Sequence, residues 1–197
     1  MKRISSFLTG YVIRKGLVSE EDREVYEYGF TVTLEVGIFA VLCIIIMGVL
    51  HMYLEGILFF VIFAPLRSYA GGLHLQKYYA CLTLSTLTFV GILLIAGNIQ
   101  LPLILINVVS LISLSGIYIL YPVENANRAV DQEEDRYFRK KLLVYLVLDV
   151  TLIVLFNFLH IHKSIMVIAL TLLMVFVTMI LGKCANSLHK PSFEEGK

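Results

Sequence analysis

The chain has 197 residues, 58% hydrophobic and 16% charged, with a formal net charge of +1. Soluble domains average about 45–50% apolar and about 25% charged residues. This balance, with a mean hydropathy of +0.84, excludes an ordinary soluble domain and points to the membrane class. Near-neutral charge gives no electrostatic reason to bind nucleic acid, and with no Trp present interfacial anchoring falls to the 11 Tyr.

Residues 1–29 carry charges throughout and lack the apolar core of a secretory signal. Within them Ile4, Phe7, Leu8, Tyr11 and Val12 fall at helical spacing on one face, flanked by Lys2, Arg3, Arg14 and Lys15. An amphipathic helix on an anionic leaflet fits this pattern, and so does a short helix packed on the protein's own cytoplasmic face. Ser19 before Glu20, Glu21 and Asp22 has the form of an N-cap with an acidic first turn, opening a helix that runs into the first span.

Phe30–Leu50 is long enough to cross a bilayer, which takes about 20 apolar residues. Leu54–Ala64 is apolar but short, and reaches span length only if Pro65–Tyr69 is added. Tyr78–Ala96, Leu101–Tyr121, Leu142–Leu159 and Ile165–Leu181 are the remaining candidates. Basic residues decide whether the short segment crosses, because cytoplasmic loops collect Lys and Arg. Six spans with both termini inside put every Lys and Arg except Lys163 on the cytoplasmic side. Without that crossing, Arg67, Lys77 and the basic residues between 122 and 141 change sides. The expected fold is therefore an all-α polytopic membrane protein of about six transmembrane helices with an N-terminal amphipathic helix. It forms a single domain, with a bundle over 30–181 and a cytoplasmic tail over 182–197.

Cys43, Cys81 and Cys184 lie far apart, with no CxxC and no metal-type His/Cys cluster, so free thiols are expected and no metal or other cofactor. Residues 67–81 interrupt two apolar segments and hold Arg67, the pair Gly71-Gly72, His74, Gln76 and Cys81. A thiol becomes an effective nucleophile when a base or a positive field favours the thiolate. His74 and Cys81 are seven residues apart. In one continuous helix that separates them by about 10.5 Å along the axis, beyond hydrogen-bond reach. The pair can act only if the chain bends near His74, and Gly71-Gly72 permits such a bend. Cys81 would then lie near the start of the third span, where the helix dipole favours a thiolate. Exposed N–H groups around the glycines, or Gln76, can hold an oxyanion. On spacing alone, a His and a Cys in one loop are more often packing residues than a catalytic pair.

The string Arg67-Ser68-Tyr69-Ala70-Gly71-Gly72-Leu73-His74, followed by Cys81, resembles the signature of the accessory gene regulator B (AgrB) family. The segment Tyr121-Pro122-Val123-Glu124-Asn125-Ala126-Asn127-Arg128 is similar to the family's Pro-x-Glu-x-x-Asn-(Lys/Arg) segment after the fourth span. Ser68 stands where the family often has a second basic residue. The resemblance implies a membrane cysteine endopeptidase that processes an AgrD-like quorum-sensing propeptide, with His74 as base and Cys81 as nucleophile. It also implies a thioester acyl-enzyme from which a thiolactone or lactone ring closes. Arg67 is then placed to grip a carboxylate of the acidic propeptide tail. A peptide exporter without proteolytic activity is the rival, though it would want polar residues lining several spans. A homodimer is compatible with a bundle of this size.

Two acids fall inside spans, where ionisable groups are functional candidates. Glu35 can orient His74 or bond a neighbouring Thr. Asp149, nearer mid-membrane, is expected to tie two helices together. Cys43 is expected to be inert, and Cys184 a bystander or a site of reversible acylation.

Overall fold

The computed structural model describes the backbone of residues 2–71, 78–122 and 132–188, and the side chains of 3–71, 82–122 and 135–185. Every extended element among them is helical: α1 (Lys2–Arg14), a 3₁₀ turn (Glu20–Asp22), α2 (Arg23–Leu50), α3 (Tyr53–Ala70), α4 (Tyr78–Asn98), α5 (Leu103–Leu120), α6 (Gln132–Phe158) and α7 (His162–Leu188). The chain is an all-α polytopic membrane protein. Among the described residues five stretches are long and apolar enough to cross: Glu20–Leu50, Tyr53–Ala70, Leu103–Leu120, Asp135–Phe158 and His162–Ala185. The sixth expected crossing falls on α4, whose apolar part Leu82–Asn98 is shorter.

The short second segment is longer than its hydropathy suggests. The helix continues through Pro65 to Ala70, for 18 residues. Proline lacks an N–H and opens one rung of the ladder, a defect that apolar helices in bilayers accommodate. The residues that made Leu54–Ala64 look too short are its own last turns.

The described residues fall into two compact units. The first comprises the described part of 1–51 with 78–86. Within it α1 packs on α2, and the 3₁₀ turn leads straight into α2. Ser19 precedes that turn, but its hydroxyl donates to the Asp22 carboxylate at 2.9 Å instead of accepting a backbone N–H. The acidic first turn is present, held by an ion pair between Arg23 and Glu20. At its far end α2 stops at His51, whose left-handed backbone (φ 54) lets its N–H close on Gly48 O.

The second unit comprises the described parts of 52–76 and 87–197. Helix α7 is its centre, packing on α5, α3 and α6. Ile165, Met166, Val167, Ile168, Leu172, Val175 and Met179 are all buried along it. Phe59 on α3 lies 5.0 Å from Phe89 on α4, ring centroid to centroid, and 5.1 Å from Phe63. Gly116 on α5 leaves room for the ring of Phe176 on α7, which a Cβ there would overlap. Such close approach at a small residue is a general way for helices to associate in lipid.

Candidate active site

Arg67 sits in the last turn of α3, half-buried. Its Nη1 donates to the carbonyl of Gly71 at 3.1 Å. The guanidinium thus caps its own helix, satisfying a carbonyl the helix end would otherwise leave open. Gly71 has φ 80 and ψ −154, a conformation populated almost only by glycine. Helix α3 stops here because the backbone turns where no side chain is tolerated. The expected break at the paired glycines is observed at the first of them.

Tyr69, two residues before the glycine, stacks on Tyr145 of α6 at 5.5 Å and 18°. It meets Phe138 edge-on at 5.8 Å. Offset and edge-to-face ring pairs of this kind are worth about 0.5–1.5 kcal/mol beyond their area burial. The end of α3 is therefore held twice, by its own arginine and by aromatic contact with α6. Neither partner on α6 was visible in the sequence. The cue was Tyr69 itself, an aromatic residue in a polar string.

Helix α4 is described from Tyr78, so Cys81 lies in its first described turn. The side chain of Cys81, and Gly72, His74 and Gln76 entirely, lie outside the described residues. Of the expected site, Arg67 and Gly71 are brought together. Glu35 lies half-buried within α2. The two nearby threonines spend their hydroxyls on the backbone: Thr31 Oγ1 donates to Glu27 O and Thr33 Oγ1 to Gly29 O, each at 2.8 Å. Among the described residues, neither threonine bonds Glu35.

Asp149 is almost fully buried on α6, and its Oδ2 meets no hydrogen-bond partner among the described residues. The expected tie between helices is made elsewhere. Asn107 on α5 and Asn157 on α6 exchange two amide bonds, at 3.0 and 3.1 Å. A single Asn carries donor and acceptor together, so two of them satisfy each other; a lone carboxylate needs a donor. Cys43 is buried in α2 and Cys184 exposed near the end of α7.

The second motif is described only at its start. Tyr121 follows α5, and its hydroxyl donates to the Asp135 carboxylate at 2.9 Å and to the Asp135 carbonyl at 3.2 Å. These bonds join the end of α5 to the early part of α6, across the polar segment that the motif opens. Burial first, and then the bond to Asp135, raises the Tyr121 hydroxyl well above its ordinary value.

The profile of the family described as Accessory gene regulator B matches residues 5–181. The chain belongs to the AgrB family. The match takes in α1 from Ser5, both motifs and α7 as far as Leu181. No curated protein and no solved structure matches the chain. Membership ties the protein to accessory gene regulator quorum sensing and to processing of that system's peptide, which implies an AgrD propeptide as substrate.

Proposed function

We propose that this AgrB-family protein is a membrane cysteine endopeptidase acting through Cys81 and His74 at the cytoplasmic side of the bilayer. The observation that best supports this is the end of α3: a helix stopped at a glycine-only conformation, capped by Arg67, three residues before the histidine. That ending supports a site separate from α3; the bend needed between His74 and Cys81, which would bring the imidazole within reach of the thiol, is part of the proposal.

The reaction runs in two halves. His74 accepts the thiol proton as Cys81 Sγ adds to a peptide carbonyl of the propeptide. The C–N bond breaks, the proton passes to the leaving amine, and the C-terminal tail departs. A thiol or hydroxyl within the bound peptide then attacks the thioester, closing a thiolactone or lactone ring and returning the Cys81 thiol. The first half replaces an amide with a higher-energy thioester, so loss of the tail must draw it forward. Water must be kept from the thioester, which a site set between apolar helices favours. Gly71, Gly72 and Gln76 are the oxyanion candidates. Arg67 combines capping of the turn with attraction of the acidic tail. Glu35 is a candidate to orient His74.

The test is co-expression with an AgrD-like propeptide, scoring tail loss by mass. Cys81→Ala and His74→Ala abolish tail loss, while Cys43→Ala and Cys184→Ala preserve it. Equal processing by all four would falsify the assignment. A product exported but never cut would favour the exporter.

A further inference from the structure

Helix α1 is turned opposite to the usual amphipathic helix of a soluble protein. Its hydroxyl row is inward: Ser5 and Thr9 are fully buried, and Thr9 Oγ1 donates to Ser5 O at 2.9 Å. Its apolar row is outward, with Ile4, Phe7 and Tyr11 exposed by 53%, 66% and 50%. The element α1 packs on is α2. A small hydroxyl row allows close approach between helices and satisfies itself on the backbone, so packing need not use the large apolar side chains. Those side chains remain for another environment.

Three further features say which environment. No acidic residue occurs before Glu20, whereas Lys2, Arg3, Arg14 and Lys15 bracket the apolar row. Lys15 lies over the Tyr11 ring, with Nζ 5.9 Å from its centroid, so one cation stands beside the aromatic end of the row. Tyr26 and Tyr28, at the start of α2, are exposed together with Tyr11. Tyrosines gather where a helix leaves the hydrocarbon for the headgroups. Glu27 of α2 shares with Arg3, Ser6 and Phe7 the lining of an open groove at this end, and the acids of residues 20–27 balance the basic residues over 1–29 as a whole, so the positive charge belongs to α1 and its flank at Lys15.

We propose that the exposed face of α1 is a binding surface for anionic phospholipid, with Ile4, Phe7 and Tyr11 set into the acyl boundary and the flanking Lys and Arg on the headgroups. A row of this kind sits about 5–10 Å below the headgroup plane. The helix packs on the protein through one face and on the leaflet through the other.

The absence of Trp supplies the test. Phe7→Trp and, separately, Tyr11→Trp place a single indole in the full-length protein, reconstituted into vesicles of phosphatidylcholine alone or mixed with phosphatidylglycerol. The expected result is blue-shifted emission, quenched most by lipids brominated high in the acyl chain. Quenching in the anionic vesicles is expected to be about twofold greater. Combined replacement of Lys2, Arg3, Arg14 and Lys15 by Gln removes that difference. Ser19→Trp, at the exposed turn, gives water-like emission throughout. The proposal is overturned by water-like emission from both α1 probes, or by quenching indifferent to anionic lipid. It also fails if burial of the probes appears only when propeptide is added, which makes the face a peptide site, or only as protein concentration rises, which makes it a contact between copies. None of these readouts depends on peptide processing.

Discussion

Helices α2 and α7 are nearly indistinguishable as sequences, each a long apolar run with few charges. In the folded chain they differ. Helix α7 is the axis of its unit and is buried over much of its length. Helix α2 buries only Cys43 and Met47 among its described residues and exposes Val36, Val41, Ile44 and Val49. The difference shows how little hydrophobicity says about packing in a bilayer. Lipid tails are as apolar as leucine, so an apolar side chain gains little by choosing protein over lipid. Close packing, small residues and polar pairs decide instead.

The largest separation between the two helices should come from truncation. Leu172→Ala on α7 removes a fully buried side chain and should cost about 2–5 kcal/mol. Ile44→Ala on α2, an exposed site, should change stability by less than about 0.5 kcal/mol. Denaturant unfolding in detergent compares them, and equal losses would mean that α2 is also packed. Glycine gives a second contrast. Gly116→Ala drives a Cβ into Phe176 and should cost about 1–3 kcal/mol, with recovery when Phe176→Leu is added. Gly37→Ala on α2 meets nothing within 4 Å and should be neutral or slightly stabilising.

The interior acids sharpen the comparison further. Asp149→Leu should not weaken the second unit and should strengthen it by about 1 kcal/mol, because it removes a buried oxygen without a partner among the described residues. A loss of stability would reveal a donor to that oxygen. The smallest effects belong to the turns. Tyr121→Phe removes a part-buried bond and should cost about 1 kcal/mol. Ser19→Ala removes an exposed one and should cost a few tenths. The Tyr121 change also has a pH signature. The folded state holds the phenol proton more tightly than the unfolded chain, which releases it near the ordinary value of 10. Stability is therefore unaffected below that pH and falls above it, and Tyr121→Phe should flatten the fall.

How much was legible beforehand varies by residue. The spans could be found because a bilayer demands long apolar helices, and the glycine break at 71 because only glycine takes that backbone. The length of α3 was ambiguous, since its last turns carry a proline and polar groups that look like a loop until Arg67 is seen capping them. A tie between two helices was expected of Asp149, and the one observed joins Asn107 on α5 to Asn157 on α6. A charge inside a span draws notice, while an amide draws none until its partner, 50 residues away, is placed opposite.

The amino-acid sequence by itself determined the class of this protein, five of its apolar spans, the glycine at which α3 ends and its kinship with AgrB. Those properties follow from local composition, backbone stereochemistry and short motifs. Only the tertiary structure decided which apolar helix lies at the centre, which face of α1 meets the protein, and which polar groups find each other. Those depend on distances between segments remote in the chain, and hydropathy is blind to them because lipid and protein interior look alike to a hydrocarbon side chain.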